Sequence, residues 1–420
     1  MNHQKEILPL TGLRFVAALY VFVFHIQIRW PVTEVTFLKN IFNEGAIGMS
    51  VFFMLSGYLL MMTYTNFEGS IREYFVNRFA RIYPVYFVAG LVTLPWLGIS
   101  LTGDTAAMLL SGFQIVFIFI ANIFLIQAWF PQLFSHWNNG GSWSISVEAF
   151  CYAMLPLLVK FINRSSSRAV LMIIVACYCL SLMPGISVKV YGQYGIPVFY
   201  AMPVFRFPEF VIGACVYVLV KRHPLPPSIW IFHLASVAAL FAYLGHFGAV
   251  MPIYTGHNWI VIPVVAITLC TLAAGRGPIA WILSRPLFVW FGKISYCFYS
   301  FQALIGLSLI SYHSELTAMF PVFANGKILI VCAFACLTAL SACGYYLIEE
   351  PIRRVIRNKW SSAGSRLHPQ QTAPRTAPEQ EHNSGWNGVV HGSSLVAIHS
   401  ACSEVQADAT GRAPSVKASD

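Results

Sequence analysis

The sequence predicts an all-α polytopic membrane protein, and three observations lead there. Of its 420 residues, 57% are hydrophobic and 10% are charged, against roughly 25% charged residues in a soluble domain. Eleven apolar stretches, each near the length needed to cross a bilayer, follow one another between residues 10 and 348. Lys and Arg gather in five of the connections between them. The formal net charge of +10 therefore speaks to topology and gives no reason to expect nucleic acid, because basic residues mark the loops that stay in the cytoplasm.

In chain order the apolar stretches are 10–28, 47–62, 83–101, 106–130, 143–161, 169–183, 205–220, 229–247, 259–274, 287–310 and 328–348. The first follows "MNHQKEILPL" without a small-residue cleavage site and is too long for a signal-peptide core, so it is expected to remain as a span. The basic connections hold Arg72, Arg78 and Arg81, then Arg164 and Arg168, then Lys221 and Arg222, then Arg276 and Arg285, and last Arg353, Arg354, Arg357 and Lys359. Were all eleven stretches to cross, the first cluster would lie on one side and the other four on the opposite side. Withdrawing 106–130 as a re-entrant, interfacial or internally packed segment puts every cluster on one side. The expected topology is thus about ten spans in residues 1–358, in the cell membrane, with both termini cytoplasmic. Residues 359–420 shift to Ser, Ala, Gly, Pro and Gln and are expected to form a disordered cytoplasmic tail. The ten cysteines form no CxxC pair and fall mostly inside apolar runs, which suits small packing residues. No metal-ligand set and no tightly bound cofactor is expected.

Against this apolar background a few ionisable side chains stand out. Arg14 and His25 share the first span, and eleven residues at 100° per residue put both on one helix face, roughly 16 Å apart. Snorkelling to the interfaces accounts for either residue singly; two on one stripe point to a polar cavity or pathway. With the amino terminus inside, Arg14 lies toward the cytoplasm and His25 toward the outer leaflet. Glu148, early in the stretch 143–161, is expected at the depth of His25. Arg206 and Glu209, spaced i to i+3, sit on the outer side too and can pair with one another. Arg78 and Arg81, one turn apart at the cytoplasmic side, suit phosphate groups, although topological anchoring explains them as well.

The arrangement Arg14 to His25, "VFFMLSGYLL" at 51–60, "RFARIYP" with Arg78 and Arg81, "SWSISVE" at 142–148, "RFPEFVIG" at 206–213, "FGKISYCFYS" at 291–300 and "EEPIRR" at 349–354 together resemble the acyltransferase-3 family of integral membrane acyltransferases. The resemblance implies about ten spans and transfer of an acyl group, most commonly acetyl from acetyl-CoA, to a hydroxyl of an extracytoplasmic glycan or glycolipid. On that reading His25 is the general base, Glu148 orients its ring, and Arg14, Arg78 and Arg81 serve the acyl-CoA donor. Many members carry a histidine soon after the SYxxY motif, where this chain has Gln302. A second catalytic histidine is not expected there, and Gln302 remains a possible substrate contact. Ser56 beside Gly57 is read as helix packing in preference to a nucleophile. The uncharged loop 130–143, with Trp137, Asn138, Asn139 and Trp143, suits sugar stacking and hydroxyl binding on the acceptor side, together with Arg206 and Glu209. An interfacial aromatic belt explains the same loop without a ligand.

Two readings compete. A transporter or flippase would use Arg14, His25, Glu148, Arg206 and Glu209 as a translocation pathway, but no inverted repeat relates the halves and the ordered motifs go unexplained. A catalytically dead scaffold is disfavoured by the presence of both Arg14 and His25.

Overall fold

A computed structural model describes residues 6–365 apart from 68, 100–103, 192–198 and 252–253. Helices dominate these residues, joined by turns and irregular connections, and no strand occurs among them. The helices are α1 (Leu8–Arg29), α2 (Thr36–Asn43), α3 (Gly48–Tyr64), α4 (Ile71–Val92), α5 (Thr105–Ile123), α6 (Trp143–Arg164) and α7 (Ser167–Tyr191). There follow α8 (Pro203–Arg222), α9 (Ile229–Phe247), α10 (Asn258–Ala273), α11 (Gly277–Leu283), α12 (Pro286–Met319), α13 (Gly326–Cys343) and α14 (Glu350–Ser365). Nine segments among the described residues are long and apolar enough to cross a membrane.

The centre of the bundle is built from close helix approaches at glycine. A Cβ on Gly57 would fall 2.0 Å from the Phe210 carbonyl oxygen, and one on Gly213 would fall 1.9 Å from that of Met54. These positions lock α3 and α8 side by side and parallel. In the same way Gly292 of α12 abuts the Thr11 carbonyl of α1, and Gly12 abuts that of Leu283 in α11. Small residues matter here because helices in lipid gain nothing from hiding apolar surface and associate by close packing. Accordingly α1, α3 and α8 are the most enclosed spans, while α7, α9 and α13 leave most of their surface for lipid.

The expected third span, 83–101, is displaced. Its helix, α4, starts at Ile71, where Ser70 caps the Glu73 amide, a capping box preceding a charged first half. Those charges keep α4 from counting among these nine, yet it runs beside the middle of α12. Tyr296 donates to the Ile82 carbonyl near one end, and Trp96, just beyond α4, donates to Ser311 at the other. Fifteen residues of α12 separate these contacts, about 22 Å along the helix. With α4, ten segments among the described residues are placed to cross, the number the sequence implies.

The segment 106–130 makes no net crossing. The first half of α4 packs on α14 and, through Arg81 and Glu349, on the π turn that precedes it, α6 ends beside Arg222, and Arg276 of the α10–α11 connection reaches the Leu225 carbonyl. One basic end of the bundle therefore gathers these connections; α4 leaves it and α6 returns to it. Between them α5 exposes apolar side chains such as Leu110, Phe113 and Val116. Short 3-10 turns at Gln127–Trp129, Pro131–Leu133 and Asn138–Gly140 then sink into the bundle. At their deepest point Asn138 donates to the Ser300 carbonyl at 2.9 Å, about 16 Å along α12 from Ser311. Past α13, the π turn Gly344–Glu349 leads into α14, which continues to Ser365 and so occupies the first residues assigned to the tail. Residues 366–420 of that expected tail lie outside the described residues.

Candidate active site

Two cavities lie along the inner face of α1. The first, of about 370 Å³, sits toward the end opposite the basic one and is lined by His25, Arg29, Asn139, Trp143, Tyr200 and Gln302 among others. His25 is exposed into this space. Its Nδ1 lies 3.4 Å from the Gln302 side-chain oxygen. With that oxygen accepting, the proton resides on Nδ1 and the lone pair on Nε2, the state a general base needs. The wall opposite is backbone in an unusual conformation. Trp137, Asn138, Asn139 and Gly140 all have positive φ, from 46° to 77°. For the three non-glycine residues this costs roughly 1–2 kcal/mol each. The Asn138–Ser300 hydrogen bond and the packing of Trp137 against Phe87, Phe119 and Gly90 hold the loop in place.

The second cavity, of about 350 Å³, lies toward the basic end and is lined by Arg14, Arg78, Arg81, Glu148, Tyr152 and Arg353 together with apolar side chains. Arg81 pairs with the fully buried Glu349, and Arg353 with Glu350. Arg14 and Arg78 make no salt bridge among the described residues. The Arg78 guanidinium rests against the Tyr64 and Tyr152 rings, 5.5 and 5.7 Å from their centroids, and its Nε is buried without a hydrogen-bond partner. With Arg81 and Arg353 paired, Arg14 and Arg78 against the lining carboxylate Glu148 leave this space with a net positive charge.

The structure thus sorts the residues singled out by sequence. Arg14, Arg78 and Arg81, distant in the chain, come together in one cavity, and His25 stands in the other. Glu148 belongs with the arginines and not with His25. Its Oε1 accepts from Ser56 at 3.4 Å and from Tyr152, so the expectation that it orients the His25 ring is replaced by Gln302 in that position. The reason is the inward dip of 127–142, which starts α6 well below the outer end and carries Glu148 toward the basic one. Ser56, too, faces the cationic cavity, while its neighbour Gly57 does the packing.

On the acceptor side only Trp143 and Asn139 reach the His25 cavity. Trp137 is 2% exposed and closed in by rings, which leaves it no face for a sugar. Asn138 is buried and spends its amide on Ser300. Arg206 and Glu209 form a buried ion pair at 3.1 Å, with Glu209 also accepting from Ser50 and Asn258. The guanidinium lies 5.9 Å from the centroid of Trp143 and 5.2 Å from that of Tyr200, behind the cavity wall and not on its surface. Arg353 and Tyr299 were not singled out as site residues by sequence reasoning, although both lie in the quoted motifs "EEPIRR" and "FGKISYCFYS"; Gln302, noted there as a possible substrate contact, stands beside the His25 ring.

An all-α bundle of this kind, with polar cavities enclosed among its spans, defines a multi-pass membrane protein. The chain belongs to the acyltransferase-3 family: the family's profile, described as an acyltransferase domain, matches residues 8–348. It is similar to the acyltransferase MdmB of Streptomyces mycarofaciens, 25% identical over 394 residues that cover 88% of this chain and 96% of that one. It is also similar to the O-acetyl transferase of Shigella phage Sf6, 26% identical over 61% of this chain and 75% of the relative. A third relative is the putative peptidoglycan O-acetyltransferase YrhL of Bacillus subtilis, 26% identical over 43% of this chain and 28% of the relative. No solved structure matches. The chain is accordingly an enzyme of O-acyl transfer, of the O-acetyltransferase kind.

Proposed function

We propose that the enzyme takes an acyl group, acetyl first among them, from cytoplasmic acyl-CoA and passes it to a hydroxyl of a glycan or glycolipid on the far side of the cell membrane. The observation that carries this reading is the division of residues between the cavities: Arg14 and Arg78, without a salt bridge among the described residues, at the basic end and a histidine facing the cavity at the other. By the distribution of basic residues the cationic end faces the cytoplasm. Arg14 and Arg78 then hold the phosphates of CoA by charge-assisted contacts, and the narrow pantetheine arm carries the thioester inward. At the far end Nε2 of His25 removes the proton from the acceptor hydroxyl as its oxygen attacks the thioester carbonyl. The carbon–sulfur bond breaks, the ester forms, and the departing CoA thiolate takes up the proton held by His25. Gln302 keeps the imidazole in the tautomer this requires. Relatives named for O-acetyl transfer and for peptidoglycan support a glycan acceptor.

Purified protein in detergent, supplied with acetyl-CoA and a panel of bacterial glycans, is expected to release free CoA in step with a gain of one acetyl mass on one glycan. Protein that neither binds acetyl-CoA nor releases CoA with any acceptor, while moving glycan across a proteoliposome membrane, would overturn the reading.

A further inference from the structure

The two cavities are separate, yet Met49 and Tyr299 line both. Both are almost wholly buried, at 4% and 8% exposure, so the barrier between the cavities is a few side chains thick. Tyr299 is held in it by its hydroxyl, which donates to the Gly141 carbonyl at 3.2 Å and lies 2.9 Å from the Ser144 hydroxyl. With the tyrosine proton engaged by Gly141, Ser144 is the donor of the second bond. Gly141 lines the histidine cavity and Ser144 the cationic one, so this latch sits on the dividing line itself. Phe52, 6.1 Å from the Tyr299 ring, completes the barrier on the cationic side.

We propose that Met49 and Tyr299 form the passage through which the acyl thioester reaches His25, and that the gap they leave selects the size of the acyl group. The inference rests on the function proposed above and adds to it the residues that discriminate between donors. Neither side chain offers chemistry to a thioester, since a thioether and a phenol already bonded to Gly141 provide neither base nor acid. What they offer is steric: the flexible Met49 can yield, whereas Tyr299 must break two hydrogen bonds to move. A gate of this kind passes a slim acetylated arm more readily than a longer acyl chain, and each added methylene in a tight apolar slot is discriminated by about tenfold or more.

The test uses the full-length protein with acetyl-CoA and butyryl-CoA as donors and measures donor affinity separately from transfer to an accepted glycan. Met49→Trp is expected to leave acetyl-CoA affinity unchanged while transfer falls by about 100-fold, the scale of loss when reacting groups are kept from contact. Tyr299→Ala is expected to raise butyryl transfer relative to acetyl transfer by about tenfold. Should Tyr299→Ala fail to fold, Tyr299→Phe keeps the ring, frees the latch and is expected to shift the same ratio in the same direction. A folded Met49→Trp protein that transfers acetyl at the parental rate would overturn the passage. An unchanged donor ratio in the folded Tyr299 variants would overturn the selection. Failure of the parental protein to bind acetyl-CoA at all would instead refute the underlying reading, so the two failures are distinguishable.

Discussion

Replacing His25 by alanine separates chemistry from everything else the bundle does. The imidazole has one hydrogen-bond partner, Gln302 at 3.4 Å, a long contact whose loss costs at most about 0.5–1.5 kcal/mol. Because the ring projects into a cavity, its removal enlarges an open space and leaves no sealed void in the core. Folding should therefore survive with a small drop in thermal midpoint. Donor affinity should survive too, because Arg14 and Arg78 lie in the other cavity, with Arg14 about 16 Å away along the same helix. The rate of transfer is another matter. One acid–base residue contributes about 10² to 10⁴ in rate, equivalent to roughly 2.7–5.4 kcal/mol of barrier. Calorimetric titration with acetyl-CoA and single-turnover transfer of labelled acetyl from the same preparation give both numbers. A His25→Ala protein that binds acetyl-CoA normally and transfers at near the parental rate would refute the assignment. So would parallel losses of binding and rate, which would make His25 structural.

The other predictions follow from how the charges are distributed. Arg78→Ala, which breaks no salt bridge, should weaken acetyl-CoA binding by roughly 10- to 150-fold, the worth of one charge-assisted contact, with an unchanged melting temperature; unchanged affinity would return Arg78 to a topological role. Arg81→Ala strands the buried Glu349 and should instead appear as lost stability of about 3–5 kcal/mol in a thermal unfolding assay, with Glu349→Gln in the same background restoring part of it. Glu148→Gln preserves hydrogen-bonding capacity toward Tyr152 and Ser56 and should change the donor KM more than kcat. A fall in kcat near the 10⁴ typical of a lost histidine-orienting carboxylate would show that Glu148 serves His25 after all. Glu209→Gln leaves Arg206 buried without its carboxylate and should destabilise by about 3–5 kcal/mol; a stable variant with raised acceptor KM would put the pair in the acceptor site.

What the sequence made legible follows from which forces are local. Crossing number is set by apolar length and by the placement of arginines, both of which are written in linear order. That is why removing 106–130 already yields the ten crossings of the bundle. Depth is different. The loop 127–142 carries no Asp, Glu, Lys or Arg and no long apolar run, and nothing in its composition requires it to sink. It is drawn in by the Asn138–Ser300 hydrogen bond and the burial of Trp137, contacts to residues far away in the chain. That single displacement explains the misplaced partner of His25. Glu148 was put at the histidine's depth by counting from an assumed outer surface, but α6 begins below that surface. Gln302 was noticed for replacing a histidine, and only three-dimensional proximity across 277 positions makes it the imidazole's neighbour.

The same dip gives the enzyme its working shape. Were the 127–142 loop to stay outside, α6 would start at the outer end, and Glu148, Ser144 and Gly141 would all shift outward with it. The cationic cavity would lose its one lining carboxylate, and Tyr299 would lose both hydrogen-bond partners. Tyr299 would then stand in the barrier beside Met49 and Phe52 with nothing holding its hydroxyl. Folding the loop inward sets that latch, and the cost is the left-handed strain of Trp137, Asn138 and Asn139. Strain of this order is kept where the surrounding contacts over-determine the conformation. Here it falls at the wall of the histidine cavity, a few residues from the latch that holds the two cavities apart.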